Sequence, residues 1–209
     1  MTLFEYLILF VLSYLAGSLP SAYLILKITQ HKDIRSEGSG NIGAMNALRV
    51  SKKKWIALLV LFMDLIKGAV PALVFSRLFP ADHLFLLLLV CGLLLGHSFP
   101  VWLAFKGGRG LAVVAGALLV LKPVIVAFWV ILWAVFYLLI RRHIVASMIA
   151  TFILPLLVYF LPFNYFSRDV LLMILPACLI IIERHLNRLP DLVREKRLAI
   201  QKEEDSHGT

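Results

Sequence analysis

Charge is scarce in this chain: Asp, Glu, Lys and Arg make up 16% of 209 residues, against 61% hydrophobic. Aliphatic runs repeat along most of its length, and that composition places it among integral membrane proteins. Acidic residues are the scarcer sign, 12 against 21 basic, for a net charge of +9. The excess does not point to nucleic acid, because the basic residues sit in short loops between apolar runs rather than along one soluble face. Only two cysteines occur, Cys91 and Cys178, both inside apolar runs and without metal-ligand spacing. They read as small core or lipid-facing residues. Internal repeats and low-complexity segments are absent. The first apolar stretch has Glu5 and no Lys or Arg ahead of it, so despite Ala16-Gly17-Ser18 it reads as an uncleaved helix rather than a secretory signal.

What is present is an all-α, polytopic pattern. A helix needs roughly 20 apolar residues to cross the hydrocarbon, and seven candidates run about 3–28, 55–79, 84–104, 110–121, 124–140, 144–161 and 169–183. Gly17-Ser18-Leu19-Pro20 is expected to kink the first. The fourth, cut off by Lys122-Pro123, is short for a straight span and reads as a tilted or partial helix beginning at a glycine loop. The rival is a six-span arrangement that fuses it with the fifth.

Loop charge separates the two. With seven spans and the N-terminus outside, seventeen basic residues, from Lys27 to Lys202, fall on the cytoplasmic side and only Arg77, Lys122 and Arg168 outside. The C-terminus is then cytoplasmic. Residues 1–183 form one transmembrane domain with cytoplasmic glycine-rich loops near 29–54 and 105–110. Residues 184–209 form a basic tail, expected to be partly an interfacial helix.

Those two loops carry the chemistry. Gly38-Ser39-Gly40-Asn41-Ile42-Gly43 and Phe105-Lys106-Gly107-Gly108-Arg109-Gly110 lie on the same side. Glycine lets several backbone N–H groups converge on one anion, and Lys106, Arg109 and Arg49 supply positive charge. Ser39 and Asn41 also read as caps of a helix starting near Ile42, which uses the same N–H groups. Asp64 and Lys67, three apart, share a helix face and are expected to point into protein, either locking helices together or serving the site. His97, in Gly96-His97-Ser98-Phe99-Pro100, reads as a donor or base beside the Lys106 loop. His31, His83, His143 and His207 read as loop residues.

These segments resemble a known family. Gly17-Ser18-Leu19-Pro20-Ser21, Asp33-Ile34-Arg35, the first glycine loop with Asn46 and Arg49, Asp64-Leu65-Ile66-Lys67-Gly68, and Gly96-His97-Ser98-Phe99-Pro100 through Gly108 are similar, in order, to the bacterial acyl-phosphate:glycerol-3-phosphate acyltransferases, the PlsY family. The resemblance implies a seven-helix enzyme of the bacterial inner membrane that moves a fatty acyl group from acyl phosphate to the sn-1 hydroxyl of glycerol-3-phosphate. Its products are lysophosphatidic acid, which opens phospholipid synthesis, and phosphate. It implies no cofactor, neither coenzyme A nor a metal, and the partners are the two substrates and membrane lipid. The H-x-x-x-x-D pattern of thioester-using acyltransferases is absent.

By motif position, the resemblance assigns Ser39, Gly40, Asn41, Arg49, Lys106, Gly107, Gly108 and Arg109 to substrate phosphate, with Ser39, His97 and Lys106 as catalytic candidates. Arg35, Asn46, Asp64, Lys67, Ser147, His185 and Asn187 are further candidates. His97, His185 and a substrate phosphate oxygen all stand as proton acceptors. The chain departs from the family pattern at Met45 and Val113, usual threonine positions, at Arg109, usually lysine, and at Ile144, a usual serine position that leaves Ser147 as the serine of that stretch. His185 and Asn187 stand two apart rather than three, and a Gly-Thr-Glu-like ending is missing. The alternative to an active enzyme is therefore a paralogue that binds phosphorylated lipid precursors without acyl transfer.

Overall fold

The computed structural model describes residues 2–79, 82–161 and 168–186, with only the backbone of His83, Arg168 and Asp169. Among them the regular structure is entirely helical. Helix α1 (Leu3–Gly17) opens on a capping box in which the Thr2 hydroxyl accepts from the Glu5 N–H and the Glu5 carboxylate from the Thr2 N–H. The Gly17–Pro20 segment breaks the chain outright rather than kinking it, and α2 (Ser21–Gln30) starts after Pro20. The Lys67 ammonium, donating to the Leu19 carbonyl at 2.9 Å, helps hold that break open.

A short α3 (Ala44–Ser51) and a long α4 (Lys54–Leu78) follow, then α5 (His83–Ser98), where the Asp82 carboxylate accepts from the Phe85 N–H. A single 3-10 turn (Val101–Leu103) leads through the second glycine loop into α6 (Leu111–Leu121), α7 (Pro123–Ile140), α8 (His143–Phe160) and α9 (Arg168–Leu186). Among the described residues, five helical stretches are long and apolar enough to cross a membrane: Leu3–Gln30, Lys54–Leu78, Leu84–Leu103, Pro123–Ile140 and His143–Phe160. The α6 helix, 11 residues long, is too short, as its sequence led one to expect. Large apolar side chains stay exposed along most of these helices, Leu58, Leu73, Val135, Leu139 and Phe152 among them. A multi-pass membrane protein buries that surface in lipid.

Two crossings are made backbone to backbone. A Cβ on Gly17 would lie 2.1 Å from the Leu93 carbonyl oxygen, and one on Gly96 2.0 Å from that of Tyr14, which fixes α1 against α5. Gly68 against the Val113 carbonyl and Gly116 against that of Leu65, each 2.0 Å, do the same for α4 and α6. Small residues are what let membrane helices approach this closely. By contrast α7 sits at the margin, with Ile125 its one buried residue. Asn41, Arg109, His143 and His185 line one space, and Arg184 bonds the second glycine loop, so parts of the connections 31–53, 99–110 and 141–142 and the end of α9 lie close together.

Candidate phosphate and acyl site

The first glycine loop is organised from within by Asn46. Its buried carboxamide accepts from the Ser39 N–H at 2.8 Å and donates to the carbonyls of Glu37 and Ile34 at 3.1 and 3.3 Å. Gly38 and Gly40 take left-handed φ values of +61° and +68°, turning the chain around that amide. The expected caps are not made: α3 starts at Ala44 with extended Gly43 as its N-cap, and neither Ser39 nor Asn41 bonds its first turn. With the helix starting at Ala44, both side chains lie upstream of its N-cap. Arg35 pairs with Asp33 at 2.6 Å and lies 5.0 Å over the Tyr23 ring. The Arg35 hydrogen bond holds the Asp33 carboxyl down to about 2.

The second loop is pressed onto the end of α5. The Gly108 N–H donates to the His97 carbonyl at 3.0 Å, and a Cβ on Gly108 would lie 2.1 Å from His97 Nε2. A Cβ on Gly107 would meet the same carbonyl at 2.2 Å. From α9, Arg184 donates to the Gly107 and Gly108 carbonyls at 3.1 and 3.3 Å while its guanidinium lies 4.9 Å over the Phe99 ring. In the sequence Arg184 counted only as one of the loop-charge residues, not as a site residue. Its signal there was its place at the end of the last apolar run.

Asp64 and Lys67 form a buried ion pair of 2.9 Å, facing protein as expected. Lys67 ties α4 to the α1–α2 break, and Asp64 lines a cavity with His97, whose Nδ1 is 3.9 Å from Asp64 Oδ1.

That cavity, about 520 Å³, lies among α4 to α9. Asn41, Arg109, His143 and His185 line its polar end, and residues at the starts of α3 (Gly43, Ala44) and α6 (Gly110, Leu111) line it too. Neither helix has a side-chain cap. Two such N-termini present N–H groups and partial positive charge to one space. His143 corrects its reading as a loop residue: it opens α8, packs edge-on to Trp133 with ring centroids 5.6 Å apart, and lies within the field of Arg109. His185 holds its Nδ1 2.7 Å from the Ile181 carbonyl, so Nδ1 carries the proton and Nε2 is the acceptor.

The remaining candidates stand apart. Ser39 and Gly40 are half-buried, and Arg49 and Lys106 are exposed; none of the four lines the cavity. Ser147 is buried and donates to the His143 carbonyl at 2.9 Å. Asn187 and the tail from 187 onward lie outside the described residues, and no cluster of metal-binding side chains occurs among the described ones.

Residues 7–195 match the model of a family described as glycerol-3-phosphate acyltransferase. Relatives bearing that name include one from Ehrlichia canis, 34% identical over 191 residues (91% of this chain, 96% of the relative). Another, from Bartonella quintana, is 37% identical over 182 residues (86% of this chain, 84% of the relative). Among solved structures, the glycerol 3-phosphate form of PlsY (YgiH), an integral membrane glycerol 3-phosphate acyltransferase, superposes with a TM-score of 0.78 at 31% identity, covering 91% of this chain and 93% of that one. Its lysophosphatidic acid form gives 0.76 at the same identity, covering 90% of this chain and 92% of that one.

Proposed function

Since this chain belongs to the glycerol-3-phosphate acyltransferase family, we propose that it moves a fatty acyl group from acyl phosphate to the sn-1 hydroxyl of glycerol-3-phosphate, releasing lysophosphatidic acid and inorganic phosphate. One observation carries the reading. A largely apolar cavity is lined at one part by Arg109, Asn41 and the starts of two helices without side-chain caps, which suits an amphiphile with a phosphate head. The family names and the glycerol 3-phosphate form of the structural relative support the acceptor.

The donor phosphate sits at the α3 and α6 N-termini beside Arg109 and Asn41. The exposed Arg49 and Lys106, with Ser39 and Gly40, meet the water-soluble acceptor from the cytoplasmic side, while Gly107 and Gly108 hold the loop against His97. The acceptor hydroxyl attacks the acyl carbonyl, an ester C–O bond forms, and the bond to the phosphate oxygen breaks. Phosphate is a good leaving group, so positioning and charge stabilisation carry the catalysis. The hydroxyl proton passes to an oxygen of the departing phosphate, the basic group nearest the reacting carbon. His97 is walled in between Asp64 and Gly108, and His185 orients from the cavity edge.

Seven spans support this placement. The broken α1–α2 is the first, α6 is a partial one leading from the glycine loop, and α9 is the last. The N-terminus is outside and the C-terminus cytoplasmic in a bacterial inner membrane, as the loop charges indicate. The test is phosphate release by purified protein given a fatty acyl phosphate, with and without glycerol-3-phosphate and against an acyl-CoA control. Acceptor-dependent release with lysophosphatidic acid formed is expected. Binding of both substrates without turnover would move the reading to a non-catalytic binder.

A further inference from the structure

One hydrogen-bond donor in the cavity wall has no partner. Trp133 lines the cavity, its Nε1 is enclosed, and that N–H bonds nothing among the described residues. A buried indole N–H usually finds an acceptor, and hydrocarbon offers none. Trp129, one turn earlier on α7, shows the usual solution, since its Nε1–H donates to the Thr151 hydroxyl at 3.0 Å. Trp133 is nonetheless held in place. Its ring stacks on Tyr137, with centroids 5.3 Å and planes 12° apart, and meets His143 edge-on at 5.6 Å.

The register of α7 against α8 places this donor along the cavity. Trp129 reaches Thr151 and Trp133 reaches His143, so the two helices run antiparallel, and the indoles are offset by about 6 Å at a rise of about 1.5 Å per residue. Trp133 stands level with His143, which belongs with Arg109 and His185 to the polar end. Level with Trp129, the Thr151 hydroxyl is already engaged, accepting from the indole and donating to the Ser147 carbonyl at 2.7 Å. Beyond it Val126 and Leu154 are apolar. The Trp133 N–H thus lies at the step from charged wall to apolar wall.

An indole donates and cannot accept, so a ligand meeting it must bring an oxygen with a free lone pair. In an acyl phosphate the group between phosphate and hydrocarbon is the acyl carbonyl. Arg109 and the helix starts suit the charged phosphate, and a neutral donor nearer the apolar wall suits the neutral carbonyl oxygen. Resting on the acyl-phosphate reading above, we propose that the Trp133 Nε1–H donates to the acyl carbonyl oxygen of the donor substrate and holds the reacting carbon at the polar end. As the acceptor hydroxyl adds to that carbon, the π pair moves onto the carbonyl oxygen. It returns when the bond to the phosphate oxygen breaks, and the indole keeps its proton throughout. A donor already aimed at the oxygen where charge develops stabilises the transition state more than the ground state.

The experiment compares the wild type with Trp133→Phe, which keeps a stacking ring and removes the N–H. Two non-reacting ligands of equal chain length are used: a β-ketophosphonate, in which a methylene replaces the anhydride oxygen, and the alkylphosphonate that lacks the ketone. The substitution is expected to weaken the ketone ligand by about fivefold, the range for a neutral hydrogen bond, and to leave the other unchanged. Equal losses would overturn the proposal, because they mark packing or a phosphate contact, and so would no loss for either. Turnover of acyl phosphate should fall by about a hundredfold in kcat; a fall below about threefold would also overturn it. The wild type supplies a readout that does not depend on the variant folding. Its Trp133 indole proton, assigned among the four tryptophans by elimination with Trp55→Phe, Trp102→Phe and Trp129→Phe, should move downfield with the ketone ligand and not with the other. A resonance that ignores the ketone would refute the bond. If the wild type turns over no acyl phosphate, the functional reading fails alone: a ketone-dependent difference still supports the bond, and its absence overturns it.

Discussion

Replacing Gly108 with Ala is the sharpest test of the second loop. Gly108 has no left-handed φ, so an L side chain brings no backbone strain, and the effect is steric alone. The new Cβ would lie 2.1 Å from His97 Nε2 and 2.8 Å from Cε1. Ordinary contact is about 3.5 Å, so ring or loop must move by about 1.4 Å. The ring is buried beside Asp64, and the loop is held on its other side by Arg184. Overpacking of this kind costs about 1–3 kcal/mol. The displaced loop carries Arg109 and leads into α6, so a shift of about 1 Å at the phosphate is expected to cost about a hundredfold in turnover. Phosphate release together with a detergent melting curve reads both effects. Turnover within a few-fold of wild type at an unchanged melting temperature would refute the claim that His97 and Gly108 jointly set the loop.

Neutralising one partner of the buried pair, as in Asp64→Asn or Lys67→Met, is expected to cost about 3–5 kcal/mol by leaving the other charge unpaired. The double variant should recover part of that in the same melt, and an additive loss would count against the pairing. Arg184→Ala is expected to lose about 1.5–3 kcal/mol, the range for hydrogen bonds from a charged group, and Arg184→Lys should restore little because it lacks the planar fork; a wild-type melt for either would remove Arg184 as the loop's anchor. His185→Gln should lower kcat by less than about tenfold if a phosphate oxygen takes the proton, whereas a loss of about a hundredfold or more would make His185 the base. The Asp33 carboxyl, held at about 2 in the folded chain against about 3.9 unfolded, stabilises its loop fully above about pH 4 and loses that contribution as pH falls through about 2. Hydrogen exchange across residues 31–43 should show this acid loss in the wild type and not in Asp33→Asn; equal profiles would exclude the Arg35 pairing as its cause.

Helices were legible in this sequence because lipid demands long apolar runs, and the brevity of α6 was written in Lys122-Pro123. The facing of Asp64 and Lys67 followed from their spacing. What the loops do was less legible. Asn46, several residues on, holds the Ser39 N–H and organises the loop from within, and a local capping rule cannot see that longer-range bond. His143 and Arg184 come to the site only through the pairing of α8 and α9 with the loops. No run of neighbours announced either one.

The glycine crossings leave the molecule mechanically uneven. Where α1 meets α5 and α4 meets α6 the contact is main chain on main chain, with no rotamer to change and no side chain to yield. The α7 helix, with one buried residue, rests against hydrocarbon instead. Compliance is thus concentrated on the flank that carries α7, while the α1–α5 and α4–α6 crossings are stiff.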